Sequence, residues 1–248
     1  MDNQTRARVL VDELRLERTP VAIAFVDEPP AGIEVMATTV PSACTFWRRA
    51  EHRMFYAAAD RHQECGVGAM TMGFEVPEDR MPAAMELIGT MVDMGYLDMA
   101  ETAHLPAVKK PHRGTVYGPL ATFPLEPDVA LAIVTPAQGM VLAEASDSVT
   151  LRAQPGLPTM GRPACAAVAW TANEDTVALS LGCIGARTYV EVPDDRAIVV
   201  IPGAALDQIA DRLGKLAQVN RDLAAFHQKK KADYEPAGSA ESGETASA

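Results

Sequence analysis

The chain alternates between short, almost unbroken apolar runs and longer mixed stretches in which apolar residues recur every three or four positions. Val21–Val26 and Val129–Val134 are runs of the first kind, closed by Asp27-Glu28-Pro29-Pro30 and by Thr135-Pro136. Both are predicted buried strands, as are residues 176–181 and 197–201. The mixed stretches predict amphipathic helices over residues 5–18, with Val9, Leu10, Leu14 and Leu16 set among charges, over 81–94, with Met85, Leu87, Ile88, Met91 and Met94, and over 204–226. Between Cys44 and Ala59 there is no Gly or Pro, and Phe46, Trp47, Phe55 and Tyr56 interleave with charges, which predicts a further helix with Ser42 as its cap. From Lys229 a lysine triplet leads into a tail of Ala, Ser, Gly and Glu, a composition that predicts disorder over 229–248. Strands and helices mix without a long β-α-β alternation, so the expected class is α+β (or α/β), a mixed sheet with flanking helices.

Superposed on these elements is a repeat. Val21–Val26, then Pro41-Ser42-Ala43-Cys44 with Trp47 behind it, then Cys65-Gly66-Val67-Gly68, then Glu75-Val76-Pro77-Glu78-Asp79-Arg80 form one series. Val129–Val134, Pro163-Ala164-Cys165 with Trp170, Cys183-Ile184-Gly185-Ala186 and Glu191-Val192-Pro193-Asp194-Asp195-Arg196 repeat it in the same order. An internal duplication is therefore expected, with pseudo-symmetric halves at residues 1–110 and 111–228. A pseudo-twofold axis between them would bring the four cysteine segments to one place. The two Glu-Val-Pro-acid-Asp-Arg segments read as structural helix or turn entries.

Composition narrows the use of such a place. The 248 residues carry a formal net charge of −11, which repels phosphate backbones, so no nucleic-acid partner is expected. No apolar run approaches the roughly 18 residues that cross a bilayer, and no signal-type block follows the start, so no membrane association and a cytoplasmic location are expected. There the thiols stay reduced, and metal ligation, catalysis or burial is favoured over disulfides. A homo-oligomer is compatible with the sequence.

Candidate metal ligands are Cys44, Cys65, Cys165 and Cys183, all the cysteines of the chain. Their spacing lacks the Cys-x2-Cys knuckles of structural zinc and the bacterial ferredoxin run. Four thiolates suit either zinc or an iron–sulfur cluster. Gly66, Gly68 and Gly185 next to the cysteines give backbone N–H access to cluster sulfurs, which favours a [4Fe–4S] cluster. A cysteine in the first turn of a helix faces free N–H groups that favour the thiolate. Cys165, among Ala164, Ala166, Ala167 and Val168, also reads as a small core residue, which would leave a three-cysteine site with an open iron. His62 is a candidate ligand or proton donor, while His52 reads as a solvated helix face. Arg187 is a candidate for an anionic ligand or for offsetting thiolate charge, with a surface salt bridge as the competing reading. Seven of the twelve methionines fall between Met70 and Met99 and would fill core or line an adaptable pocket. The chain has no Gly-x-Gly-x-x-Gly, P-loop, His-Glu-x-x-His or Gly-x-Ser-x-Gly motif.

Residues 41–47, Cys65-Gly66-Val67-Gly68-Ala69 and Gly182-Cys183-Ile184-Gly185-Ala186-Arg187, with the strand before them, resemble the family known as domain of unknown function 169, over roughly Leu10 to Leu213. The resemblance implies a prokaryotic cytosolic domain common among anaerobes and brings no established reaction. The leading expectation is a cytosolic protein holding an iron–sulfur cluster on cysteines from both halves, used with a small-molecule ligand or a redox partner, as a redox or substrate-binding enzyme of an anaerobic pathway. The alternatives are a haem or small-ligand module using the Met-rich region with His62 or a cysteine as axial ligand, and an enzyme with Cys44 or Cys65 as nucleophile.

Overall fold

The computed structural model describes residues 1–146, 149–150 and 162–234. In chain order the elements are α1 (Asn3–Leu14), β1 (Val21–Val26), α2 (Thr45–Ala50), β2 (Phe55–Ala58), α3 (Gly66–Thr71), α4 (Met81–Asp93), α5 (Met99–Thr102) and β3 (Gly114–Pro119). They continue with β4 (Val129–Val134), α6 (Pro136–Ala145), β5 (Val149–Thr150), α7 (Ala166–Glu174), β6 (Val177–Ser180), α8 (Ile184–Tyr189), β7 (Ala197–Pro202) and α9 (Leu206–Tyr234). One sheet runs in the order β2-β3-β1-β4-β7-β6-β5, antiparallel except for the parallel pair β5-β6. The class is α+β with a mixed sheet, as the pattern predicts.

The apolar runs have no polar alternation because both faces of the sheet are covered. In β1, Val21, Ile23 and Phe25 point into a core with Phe46, Trp47, Val168, Cys44 and Cys165. Ala22 and Ala24 point into a second core under α1, α6 and α9, with Leu10, Leu142 and Leu213. Each large apolar side chain fully buried in these cores, such as Phe46 in the first and Leu142 in the second, contributes roughly 1.5–3 kcal/mol. The cysteine helices thus lie on one face and the long helices on the other.

The sheet reads alike from its centre outwards: β1, β3, β2 on one side and β4, β7, β6 on the other. At the centre Val21 pairs with Leu131, Ala22 with Ala130 and Ile23 with Val129, so the pairing maps onto itself when the halves are exchanged. β3 and β7 each end in a proline followed by a 3-10 turn.

The helix expected from Cys44 to Ala59 stops at Ala50, and Phe55–Ala58 forms β2 against β3. Alternate aromatic residues there fill the pleat, and pairing with Tyr117 and Val116 overrides the absence of Gly and Pro. Helix α4 keeps its expected span but buries only Ala84 and Ile88, leaving Met81, Met85, Leu87 and Met94 exposed. Helix α9 runs on to Tyr234, past Lys229 where the tail was expected, and residues 235–248 lie outside the described residues.

Candidate metal centre

Each cysteine is the N-cap residue of a short helix: Cys44 of α2, Cys65 of α3, Cys165 of α7 and Cys183 of α8. They fall into two kinds that recur in the two halves. Cys44 and Cys165 sit in helical backbone conformation, buried, and their side chains cap nothing. The first turns beyond them match, with Thr45, Phe46 and Trp47 N–H donating to Ser42, Ala43 and Cys44 C=O just as Ala166, Ala167 and Val168 do to Pro163, Ala164 and Cys165. Cys65 and Cys183 are half-buried and turn their sulfurs back over their own helices. The Gly68 N–H donates to Cys65 Sγ at 3.3 Å, and the Ala186 N–H to Cys183 Sγ at 3.4 Å.

Cys44 lies within electrostatic reach of Cys183 and Cys65, and Cys165 within reach of Cys65, Cys183 and Cys44. All four are free thiols. Burial pushes the Cys44 thiol up to about 12, against a 3.2 Å hydrogen bond with the Ser42 hydroxyl; the neighbouring sulfurs add to the rise. Burial also drives the Cys165 thiol well above its ordinary value, with Thr71 of α3 opposing it by a hydrogen bond. Ser42, expected as a helix cap, therefore serves the thiol instead. Among the described residues there is no group of three or more His, Cys, Asp or Glu side chains that could hold a single metal ion.

Residues 9–212 match the model of the family DUF169, described as uncharacterised ArCR. The chain belongs to the DUF169 family. No curated protein and no solved structure matches it.

The other candidate residues of this DUF169 protein have internal duties. A Cβ on Gly66 would stand 2.5 Å from Ala84 Cβ, and one on Gly68 2.6 Å from Ala43 Cβ and 3.1 Å from Cys65 Sγ. These glycines let α3 close on α4 and on the Cys44 segment. Gly185 is less crowded, with Cys183 Sγ at 3.8 Å from where its Cβ would be. Arg187 donates to the carbonyls of Leu181 (2.6 Å) and Pro193 (2.7 Å), strapping the loops around α8. His52 is exposed, beside Arg48.

His62 is fully buried. Its Nδ1–H donates to Ala58 C=O at 3.0 Å, which leaves Nε2 to accept from the Tyr117 hydroxyl at 2.9 Å. Both ring nitrogens are thus engaged within the protein, so an axial bond to haem would require Tyr117 to leave. Burial lowers its pKa to about 4, and the ring is packed between Phe46 and Phe74. Tyr117, held up by burial, is within electrostatic reach of Cys165 and Cys44. A neutral polar pair therefore backs the buried side of the thiols. Tyr117 and Thr71 carry no sequence signal for this role, because only folding brings β3 and α3 to Cys165.

Proposed function

We propose that this protein holds a [4Fe–4S] cluster between its halves on Cys44, Cys65, Cys165 and Cys183. The observation that carries the reading is that Cys44 and Cys165 each lie within electrostatic reach of the other cysteines of the chain. The donor set is purely thiol, which suits zinc or iron–sulfur and disfavours hard cations. A zinc ion would take all four thiolates at about 2.3 Å from one point, whereas in a cluster each thiolate binds a different iron. Zinc remains the second reading, favoured by the all-thiol set alone.

The residues present fit the group. Cys44 and Cys165 would anchor it from the buried side, giving up their protons on binding because metal ligation takes the thiolate. Cys65 and Cys183 would hold the more open edge, their sulfurs accepting N–H bonds that lower the electron density on the ligands. When bound, a cluster would supply one-electron transfer or a Lewis-acidic iron, with the half-buried Cys65 and Cys183 on the side a small-molecule ligand or a redox partner would approach. Arg187, 25% exposed, is near enough in sequence to Cys183 to offset charge at that edge. The reading includes a cytoplasmic location, where thiols remain reduced, and an origin of the two halves by duplication, supported by the matched cysteine contexts and sheet order.

The test is to replace each cysteine by serine in protein prepared without oxygen and to assay iron and acid-labile sulfide. Loss of both in all four variants supports the four-ligand site. Unchanged iron in Cys165→Ser alone would leave a three-cysteine cluster, and unchanged iron in three or four variants would refute the site.

A further inference from the structure

Helix α4 is apolar over more of its surface than it buries. Its covered stripe is Ala84 and Ile88. At 100° per residue Met81 and Met85 flank that stripe on one side, and Leu87 and Met94 on the other. All four are exposed, Met94 at 77%. The helix sits on α3 through Ala84 against Gly66, next to Cys65. Just beyond it, the Tyr96 hydroxyl accepts from the Ile184 N–H at 3.3 Å, next to Cys183, where Leu181 and Ile184 are exposed, the latter at 62%. α4 and the turn that follows it thus contact the residues next to the two half-exposed cysteines, Gly66 and Ile184.

The charge of the same region is one-sided. Positions 64 to 101 hold eight acidic residues and a single basic one, Arg80. Arg80 pairs with Glu64, Glu101 pairs with Arg162, and Asp98 caps α5. The other five, Glu75, Glu78, Asp79, Glu86 and Asp93, are exposed and make no ion pair among the described residues. At 100° per residue Glu86 and Asp93 stand roughly 180–200° from Ala84, on the outer crest of α4 between its two apolar margins, so unneutralised carboxylates run beside exposed apolar side chains and form the complement of one kind of protein surface.

We propose that α4 with Leu181 and Ile184 is a docking surface for a protein partner presenting an apolar segment flanked by lysines and arginines. The acids steer the partner and the apolar margins hold it. The surface stands on its own residues; that it serves the cysteine site rests on the reading above.

The probe is a fluorescent amphipathic peptide of leucine and lysine, with a leucine–glutamate peptide of equal length as control, titrated by anisotropy into protein prepared without oxygen and assayed for iron. The leucine–lysine peptide should bind, and the control should not. Affinity should fall about tenfold or more in the quadruple variant Glu78→Gln, Asp79→Asn, Glu86→Gln, Asp93→Asn, a loss typical of several steering charges. It should fall similarly in Leu87→Ser/Met94→Ser, which leaves the charge alone. A quadruple of equal charge on the far face, Asp12→Asn, Asp211→Asn, Asp222→Asn, Asp233→Asn, should bind as the parent does. Absence of binding, an equal loss in the far-face variant, or unchanged binding in Leu87→Ser/Met94→Ser would each overturn the proposal. Binding that behaves as expected in protein that takes up no iron would uphold the surface and refute the cluster.

Discussion

At Cys44 and Cys165 two requirements conflict. Burial holds both thiols protonated, and ligation needs both ionised. Loading the site must therefore release protons, and it should become more favourable as pH rises; titration of iron and sulfide into the metal-free protein in weak buffer, with pH recorded, checks this. In the metal-free protein the unfolded chain loses the Cys44 proton near its ordinary value of 9.0 while the folded one keeps it to about 12. Stability is thus full below pH 9 and falls between about 9 and 12. Urea unfolding across that window should show the fall, and Cys44→Ala should reduce its slope.

His62 works with the opposite sign. Its folded value near 4 lies below the ordinary 6.5, so between these values the unfolded chain binds the extra proton and stability drops as pH falls. Tyr117→Phe removes the donor to Nε2 and should cost about 1–3 kcal/mol, the penalty of an unpaired buried group, measured by urea unfolding at pH 7. The identity of the four thiols was legible because their contexts repeat. The roles of Tyr117, Thr71 and Ser42 were not, since each depends on a contact that only tertiary folding creates, and His62 belongs to a buried hydrogen-bonded pair that its place three residues before Cys65 does not reveal.

Among the elements, α3 is the most tightly constrained. Gly68→Ala would set a methyl group 2.6 Å from Ala43 and force α3 away from the Cys44 segment. Overpacking of this kind costs typically 1–3 kcal/mol. The variant should lose that much stability and also take up less iron, both measured on the same preparation; Gly185→Ala, with looser surroundings, should do neither. The strands β1 and β4 were readable because burial on both faces leaves no polar residue in them. Helix α2 was overextended, because Phe55 and Tyr56 satisfy a helical count and a strand alternation equally well until β3 is present to pair with. The methionines of α4 have helical spacing, but spacing alone does not say that a helix face is left uncovered.

For the whole molecule, the central β1-β4 pairing joins the halves into one sheet and places both pairs of cysteine helices on the same face. No helix among the described residues is long and apolar enough to cross a membrane. The last turns of α9 lie outside this arrangement: every residue from Arg221 to Tyr234 is exposed. Truncation after Arg221, which among the described residues removes only exposed helix, should leave the thermal midpoint unchanged within about 2 °C, and calorimetry checks it. The sheet order and the meeting of the halves follow from pairing between distant segments, which hydrophobic pattern constrains only weakly.

The most direct measurement is of the purified protein prepared without oxygen and reconstituted with iron and sulfide. Four irons and four sulfides per chain, as a [4Fe–4S] centre requires, with a broad visible absorption and a paramagnetic signal on one-electron reduction, are what the four-thiol centre predicts. Colourless protein that retains no iron after reconstitution, or that binds zinc alone through the same cysteines, would contradict it.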